Sequence, residues 1–122
     1  MNDLIERVFA VAADVRYVAV YLNGRLQSAQ RPGAAQASTS ESDKYEELIV
    51  NPTLLTLTRQ RGEIDCGGLE FVLIRYGSFY EFVLPLPGGH LSVGIESHAD
   101  PLQLVPRLRA AAGLTSPGPG AA

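Results

Sequence analysis

The stretch GLEFVLIRYGSFYEFVLPLPGGHLSVGIE, from Gly68 to Glu96, decides the fold. It reads as three strands, Leu69 to Tyr76, Phe79 to Leu86 and Leu91 to Glu96, because β-branched and aromatic residues fill short runs between turn residues. Gly77-Ser78 joins the first two tightly, and Pro87-Gly88-Gly89 joins the next two. In the first two strands both alternation sets are largely apolar: Phe71 and Leu73 against Val72 and Ile74, then Val83 against Phe82 and Leu84. Strands that are apolar on both sides belong in a sheet covered on both faces.

Upstream, VRYVAVYL (Val15 to Leu22) is a fourth strand, too short and too β-branched for a helix. Asn23-Gly24 follows it, the pair that suits the two positive φ values of a type I′ hairpin turn. The return strand RLQSAQ, Arg25 to Gln30, offers only Leu26 and Ala29 to a core, as expected at the edge of a sheet. Before these strands, Asn2 or Asp3 caps a helix whose Leu4, Ile5, Val8, Phe9 and Ala12 share one face.

The segment RPGAAQASTSES, Arg31 to Ser42, is small and polar and reads as a mobile loop. Ser42 or Asp43 then caps a central helix, Tyr45 to Arg61, that ends near Gly62. Two apolar stripes emerge on it at about 100° per residue. One holds Tyr45, Leu48, Ile49 and Leu55; the other, nearly opposite, holds Val50, Leu54 and Leu57. Two stripes imply a helix covered on both sides. Pro52 either splits this segment into two short helices or kinks one longer helix. A last helix, PLQLVPRLRAAAG, follows Asp100, closes at Gly113, and has capping-box spacing at Asp100 and Gln103. Pro106 places the start of its regular part there. The order α-β-β-α-β-β-β-α predicts an α+β fold: a five-stranded antiparallel sheet with helices on both faces.

At 122 residues the chain is one domain, 1–113, with a Pro/Gly-rich tail, 114–122, that has nothing to bury. Hydrophobic residues make up 46%, and with no Trp, five Tyr and four Phe the core is aliphatic. Folding at this size removes about two thirds of the chain's surface from water, which leaves little margin. Ten basic against thirteen acidic residues give a net charge of -3, which disfavours nucleic acid as a partner. A single Cys excludes an internal disulfide. Asp3, Glu6 and Arg7 sit where a signal peptide needs a basic region and an unbroken apolar run. No run reaches the roughly 18 to 20 apolar residues that span a bilayer, so a cytoplasmic protein with no membrane insertion is expected.

Catalytic chemistry finds little support. Cys66, His90, His98 and Asp100 are the residues suited to soft-metal or nucleophilic work, and only His98 and Asp100 are closely spaced. His90 reads as a solvated turn residue, His98 as a solvated loop residue, and Cys66 as a small buried hydrophobe. Gly67-Gly68 and Gly88-Gly89 lack the spacing and trailing Lys of a phosphate cradle. Glu70 and Glu81 are expected to oppose each other across the hairpin and face solvent. No metal, cofactor or catalytic residue is expected. Arg59, Arg61 and Arg75 read as a solvated rim or as a docking patch, since Arg is enriched in interfaces. Tyr76, Phe79 and Tyr80 gather at one hairpin tip, where exposed aromatics suit partner binding or cap the core.

From about Leu4 to Gly113 the order of elements resembles the roadblock family, the dynein light-chain type, within the profilin-like folds. The tract Leu69 to Glu96 carries most of that resemblance, with LPLPGGHLSV placed as the family's strand, short turn and strand before the last helix. Pro52 and the long loop at 31–42 depart from the family's pattern. The resemblance implies a homodimer made by pairing third strands and central helices into one continuous sheet. It also implies a platform for small Ras-like GTPases, or an adaptor; bacterial members pair with a GTPase that controls polarity or gliding. Carried over by position, the dimer residues are Val50, Leu54, Leu57, Leu69, Phe71, Leu73 and Arg75. The partner-binding candidates are Arg59, Arg61, Tyr76, Phe79 and Tyr80. The expected function is therefore a non-enzymatic dimeric regulator or scaffold of a small GTPase or signalling complex. The alternative is a profilin-like sensor that holds a small ligand between helix and sheet.

Overall fold

Asn23 and Gly24 take φ values of 52° and 81°, and Leu22 pairs with Arg25, so the predicted type I′ turn joins β1 (Val15–Leu22) to β2 (Arg25–Gln30). A second tight hairpin joins β4 (Phe79–Leu86) to β5 (Gly89–Glu96). Leu86 pairs with Gly89 there, so β5 begins two residues earlier than the sequence predicts. The computed structural model describes residues 2–34 and 38–114. With β3 (Val72–Arg75), the strands form one antiparallel sheet in the order β2-β1-β5-β4-β3. β2 lies at one edge, as its polar composition predicts, and β3 at the other.

The register sorts the side chains by face. Val18, Val93 and Phe82 align across β1, β5 and β4, and so do Val20, Leu91 and Leu84. These pack under α1 (Asn2–Phe9) and α4 (Pro101–Ala111) through Ile5, Val8, Leu104, Val105 and Leu108. Each fully buried aliphatic side chain there contributes about 1.5–3 kcal/mol. The opposite face aligns Ala19, Ser92 and Val83, then Tyr21, His90 and Pro85. Both faces are covered, but only one of them by an aliphatic core.

The covering helix on the polar side differs from expectation. It starts earlier: α2 (Ser40–Tyr45) is capped by Thr39, whose hydroxyl accepts from the Ser42 N–H, so Ser40 to Ser42 are helical. The expected caps Ser42 and Asp43 lie inside it. A π turn, Glu46–Val50, continues into α3 (Asn51–Asp65). Pro52 therefore neither splits nor sharply breaks the segment. Its ring conflicts with an ordinary turn before it, and the widened turn, closed by the Asn51 N–H donating to the Glu46 carbonyl, makes room.

Gly62 is not the C-cap but a buried position within α3. A Cβ there would sit 2.9 Å from the Gly68 carbonyl carbon, where the chain turns back past the helix end. That return, held by the Gly68 N–H on the Gly62 carbonyl, uses Leu69 to Phe71, so β3 is shorter than predicted. In α4 the Asp100 side chain makes no capping bond, and the helix runs regularly from Pro101 through Pro106. Pro106 forfeits only a bond to the Leu102 carbonyl, near the helix start.

Of the expected loop at 31–42, residues 35–37 lie outside the described residues. Its first residue, Arg31, is firmly held. The guanidinium donates to the carbonyls of Val15, Phe9 and Ala12 and stacks over the Phe9 ring at 5.2 Å. Of the expected tail at 114–122, residues 115–122 lie outside the described residues, while Leu114 packs against the core and its N–H donates to the Arg109 carbonyl.

A methyl group on Gly89 would run into the Tyr21 carbonyl oxygen, because β5 meets β1 there without room for a side chain. Gly89→Ala is expected to lower folding stability by about 3 kcal/mol, at the upper end of overpacking costs. Gly77→Ala, in open space, is expected to change it by less than about 0.5 kcal/mol. Urea unfolding of the two variants checks this; equal midpoints would contradict the β1–β5 contact.

Candidate functional site

The helix that covers the polar face of the sheet turns most of its large apolar residues away from it. Tyr45, Leu48, Ile49, Leu57 and Ile64 are 43% to 75% exposed along its outer side. The side toward the sheet carries Glu47, Asn51, Leu55 and Gly62, all buried. The first predicted stripe is thus divided. Leu55 goes inward, whereas Tyr45, Leu48 and Ile49 go outward with Leu57 of the second stripe. The π turn causes this, since its wider step rotates the residues before Asn51 relative to those after it.

What meets the sheet is a chain of polar groups. Glu47, Asn51, Glu81, His90 and Ser92 are each 1% exposed or less. His90 Nε2 lies 2.8 Å from Glu47 Oε1, and the Tyr17 hydroxyl donates to Glu47 Oε2 at 3.3 Å. Asn51 Nδ2 donates to Glu47 Oε1 at 3.1 Å and to Glu81 Oε2 at 3.2 Å. Ser92 Oγ also donates to Glu81 Oε2. Asn51 Oδ1 is buried with no donor among the described residues. Beside this seam, the Tyr76 hydroxyl donates to both Glu46 oxygens, at 2.9 and 3.0 Å.

Burial and crowding by like charge govern these groups. Burial, helped by the Glu47 charge, pushes the Glu81 carboxyl up to about 8, against the hydrogen bonds from Ser92 and Asn51. Glu81 therefore holds a proton at neutral pH. Burial raises Glu46 as well; the Tyr76 bond opposes that rise, while Glu47 and Asp43 add to it. The Tyr17 and Tyr76 hydroxyls are also raised, both chiefly by burial.

A cavity of about 300 Å³ opens beside the seam, between α2 with the π turn and the tip of the β3–β4 hairpin. Arg16, Tyr17 and Glu81 line its sheet side, and Asp43, Glu46 and Glu47 its helix side. Arg16 pairs with Glu96 at 2.9 Å and lies 6.0 Å from the centre of the Phe79 ring.

Several residues sit elsewhere than the sequence places them. His90 is not a solvated turn residue but the buried partner of Glu47. Glu81 is buried and opposes Ile74 rather than Glu70. Cys66 is exposed rather than buried, whereas His98 is exposed as expected, beside Asp14 at 3.1 Å. Of the proposed dimer residues, Val50 and Leu54 are half-buried and Leu57 is exposed. Phe71 and Leu73 pack on the chain's own core, Phe71 against Phe82 with centroids 5.4 Å apart. Leu69 is half-buried beside Arg59 in a shallow depression.

The three arginines do not cluster. Arg61 pairs with Asp65 at 2.7 Å, while Arg75, at the other end of β3, reaches the Ser97 carbonyl and stacks over Tyr80 at 4.7 Å. Tyr76 and Phe79 do meet at the hairpin tip, with centroids 5.5 Å apart, and Tyr80 packs on the core. Sequence reasoning missed the seam itself. Its trace was present: Glu81 breaks an apolar strand, His90 and Ser92 alternate with Leu91 and Val93, and Glu47 and Asn51 are spaced i, i+4.

Among the described residues, no three His, Cys, Asp or Glu side chains gather as a metal set, and no helix is long and apolar enough to cross a membrane. No family model matches the chain, and no curated protein matches it. Solved structures do. A structure described as MglB with tetrameric arrangement has a TM-score of 0.70 at 9% identity, over 91% of this chain and 83% of that one. The Roadblock/LC7 domain from Streptomyces avermitilis has a TM-score of 0.64 at 16% identity, over 93% and 88%. The gliding protein MglB from Thermus thermophilus has a TM-score of 0.64 at 11% identity, over 90% and 83%. At such identities the likeness establishes the fold, which is that of roadblock domains.

The raised Glu81 carboxyl makes folding stability depend on pH. Its folded value of about 8 exceeds its ordinary value of 4.5, so the folded chain holds a proton that the unfolded chain releases between them. Its contribution is full below about pH 4.5, declines as pH climbs, and is gone above about pH 8. Glu81→Gln, which cannot ionise, is expected to flatten the fall in stability between pH 5 and 8. Chemical unfolding of both proteins across that range measures it, and parallel curves would show that Glu81 holds no proton at neutral pH.

Proposed function

We propose that this chain is a non-enzymatic, cytoplasmic regulatory module that works as a homodimer and binds a small Ras-like GTPase or a signalling complex. One observation carries this reading: an apolar stripe of Tyr45, Leu48, Ile49, Leu57 and Ile64 lies exposed on a long helix in a sheet whose β3 edge is open. Isolated exposed aliphatics are ordinary, but five large ones aligned on one helix mark a surface meant to be covered. A second copy is the occupant proposed. Pairing β3 edges would continue the sheet, and pairing the helices would bury both stripes.

Val50, Leu54, Leu57, Leu69, Phe71, Leu73 and Arg75 keep their place in this proposal as the dimer surface, with Tyr45, Leu48, Ile49 and Ile64 added to it. Phe71 and Leu73 would act through the β3 backbone, since their side chains serve the core. The tetrameric arrangement of one MglB structure with the same fold supports self-association. The roadblock resemblance supports the GTPase as partner, with Arg59, Arg61, Tyr76, Phe79 and Tyr80 as candidate contacts. Binding to the composite face of the dimer would act by biasing the mobile switch loops of the GTPase.

The second reading, a sensor with a small ligand between helix and sheet, is favoured by one observation: the cavity of about 300 Å³ on the inner side of the same helix. Polar groups converge there, as a binding pocket requires.

Sedimentation equilibrium at micromolar concentration is expected to find a dimer. Ile49→Glu and Leu57→Glu, both exposed in the single chain, are each expected to weaken it by about thirtyfold or more while circular dichroism stays unchanged. A wild-type monomer across that range would overturn the dimer. Affinity capture from native lysate, with GTP analogue and GDP compared, is expected to retain a GTPase in a nucleotide-dependent way. Failure to retain one in either state would overturn that partner.

A further inference from the structure

We propose that the buried seam is a proton-operated latch, which fastens the helix formed by α2, the π turn and α3 to the sheet. When the proton leaves, that helix lifts while the aliphatic core on the other face stays folded. The inference rests on the single chain and stands apart from the dimer and sensor readings above. Attachment is the first observation. From Ser40 to Asp65, only Glu47, Asn51, Leu55 and Gly62 are buried. Leu55 is the one large apolar side chain among them, and it lies outside the aliphatic cluster under α1 and α4. The helix is thus held chiefly by Glu47 and Asn51, whose partners His90, Tyr17 and Glu81 sit on β5, β1 and β4.

The pairing inside the seam is an independent observation. Its two carboxylates, Glu47 and Glu81, share the Asn51 amide nitrogen at 3.1 and 3.2 Å. Glu47 has His90 and the Tyr17 hydroxyl besides. Glu81 has only neutral donors, that amide and Ser92 Oγ, and no ion pair reaches it among the described residues. Its neighbour on β3, Ile74, is apolar. Farther out, Glu46 adds negative charge from the helix, with Tyr76 of the hairpin bound to it. Asp43 lines the same helix wall, and Arg16 of β1 pairs with Glu96. A carboxyl so placed keeps its proton, because ionised it would be a buried charge without a cation.

Losing that proton leaves two buried carboxylates around one amide. Complete unfolding relieves this only by giving up the whole core. Lifting one helix relieves it by letting water reach Glu81, and gives up only Leu55 and the seam's own bonds. Local opening starts from elements with few buried apolar side chains, as this helix is. The strands do not follow, because Val18, Val20, Phe82, Leu84, Leu91 and Val93 stay packed under α1 and α4. Leu48, Ile49 and Leu57 move with the helix, so the latch governs whether the outer apolar stripe is held in a fixed orientation. Glu81 titrates near 8 with the helix closed and near its ordinary 4.5 once water reaches it. Opening therefore rises by about tenfold per pH unit between those values and levels off above about pH 8.

Amide hydrogen exchange of the full chain from about pH 6 to 9, each rate divided by the unfolded-chain rate at the same pH, tests this. The chain carries Leu57→Glu, exposed on the outer side, so that no second copy shields the helix. Helix amides are expected to open about tenfold more per pH unit up to about pH 7, and no more above about pH 8. Amides of β1 and β5, which open only on complete unfolding, are expected to stay at least about tenfold better protected at each pH. Glu81→Gln is expected to remove the slope from the helix. Should that variant not fold, Ser92→Ala takes its place. It removes a donor that favours the ionised form, so the levelling-off is expected to move to higher pH. Equal protection of helix and strands would show a single all-or-none unfolding and overturn the latch. So would helix opening that ignores pH, a slope that survives Glu81→Gln, or a levelling-off that Ser92→Ala leaves in place.

Discussion

The contact on which this architecture depends is the buried seam between Glu47 of the π turn and His90 of β5, with Tyr17, Asn51, Glu81 and Ser92 joined to it. A buried polar group without a partner costs about 1–3 kcal/mol, and a charged one more. Rolling the helix by one residue, about 100°, would strand Glu47 and Asn51 in solvent and leave Glu81 and His90 buried without their partners. The apolar stripes could not enforce that choice, because a stripe lies on nearly each side of the helix. Polar pairing selects the rotation, and the exposed apolar surface is its consequence.

Pro52 and the π turn belong to the same constraint. The ring of Pro52 forbids an ordinary helical turn before it, and the wider turn that results sends two successive residues toward the sheet. Glu46 reaches Tyr76 on the β3–β4 hairpin, and Glu47 reaches His90 on β5. Leu48 and Ile49, on the same turn, face outward. One irregularity thus supplies the acidic wall of the cavity and part of the outer apolar stripe.

Much of the frame was legible in the residues. β1, β2 and β4 lie where alternation and turn chemistry place them, because Asn23-Gly24 and the Gly77-Ser78 pair are local signals that need no tertiary context. Boundaries failed where the chain had a long-range obligation. β3 is short because residues 69–71 cross past Gly62, and α3 outruns Gly62 because the glycine serves a close approach there. The candidate site was legible only in fragments. Glu81 and His90 looked solvated because a single strand does not show which neighbour covers it.

The sequence by itself determined an α+β sheet of five antiparallel strands, its polar edge at β2, and an excess of apolar surface on the central helix. Those follow from local periodicity and turn geometry, which act over a few residues. Only the tertiary structure decided which helix face meets the sheet and that the meeting is polar. Glu47 and His90 are 43 residues apart, as Asn51 and Glu81 are 30, and only folding removes the water that would otherwise satisfy each of them separately.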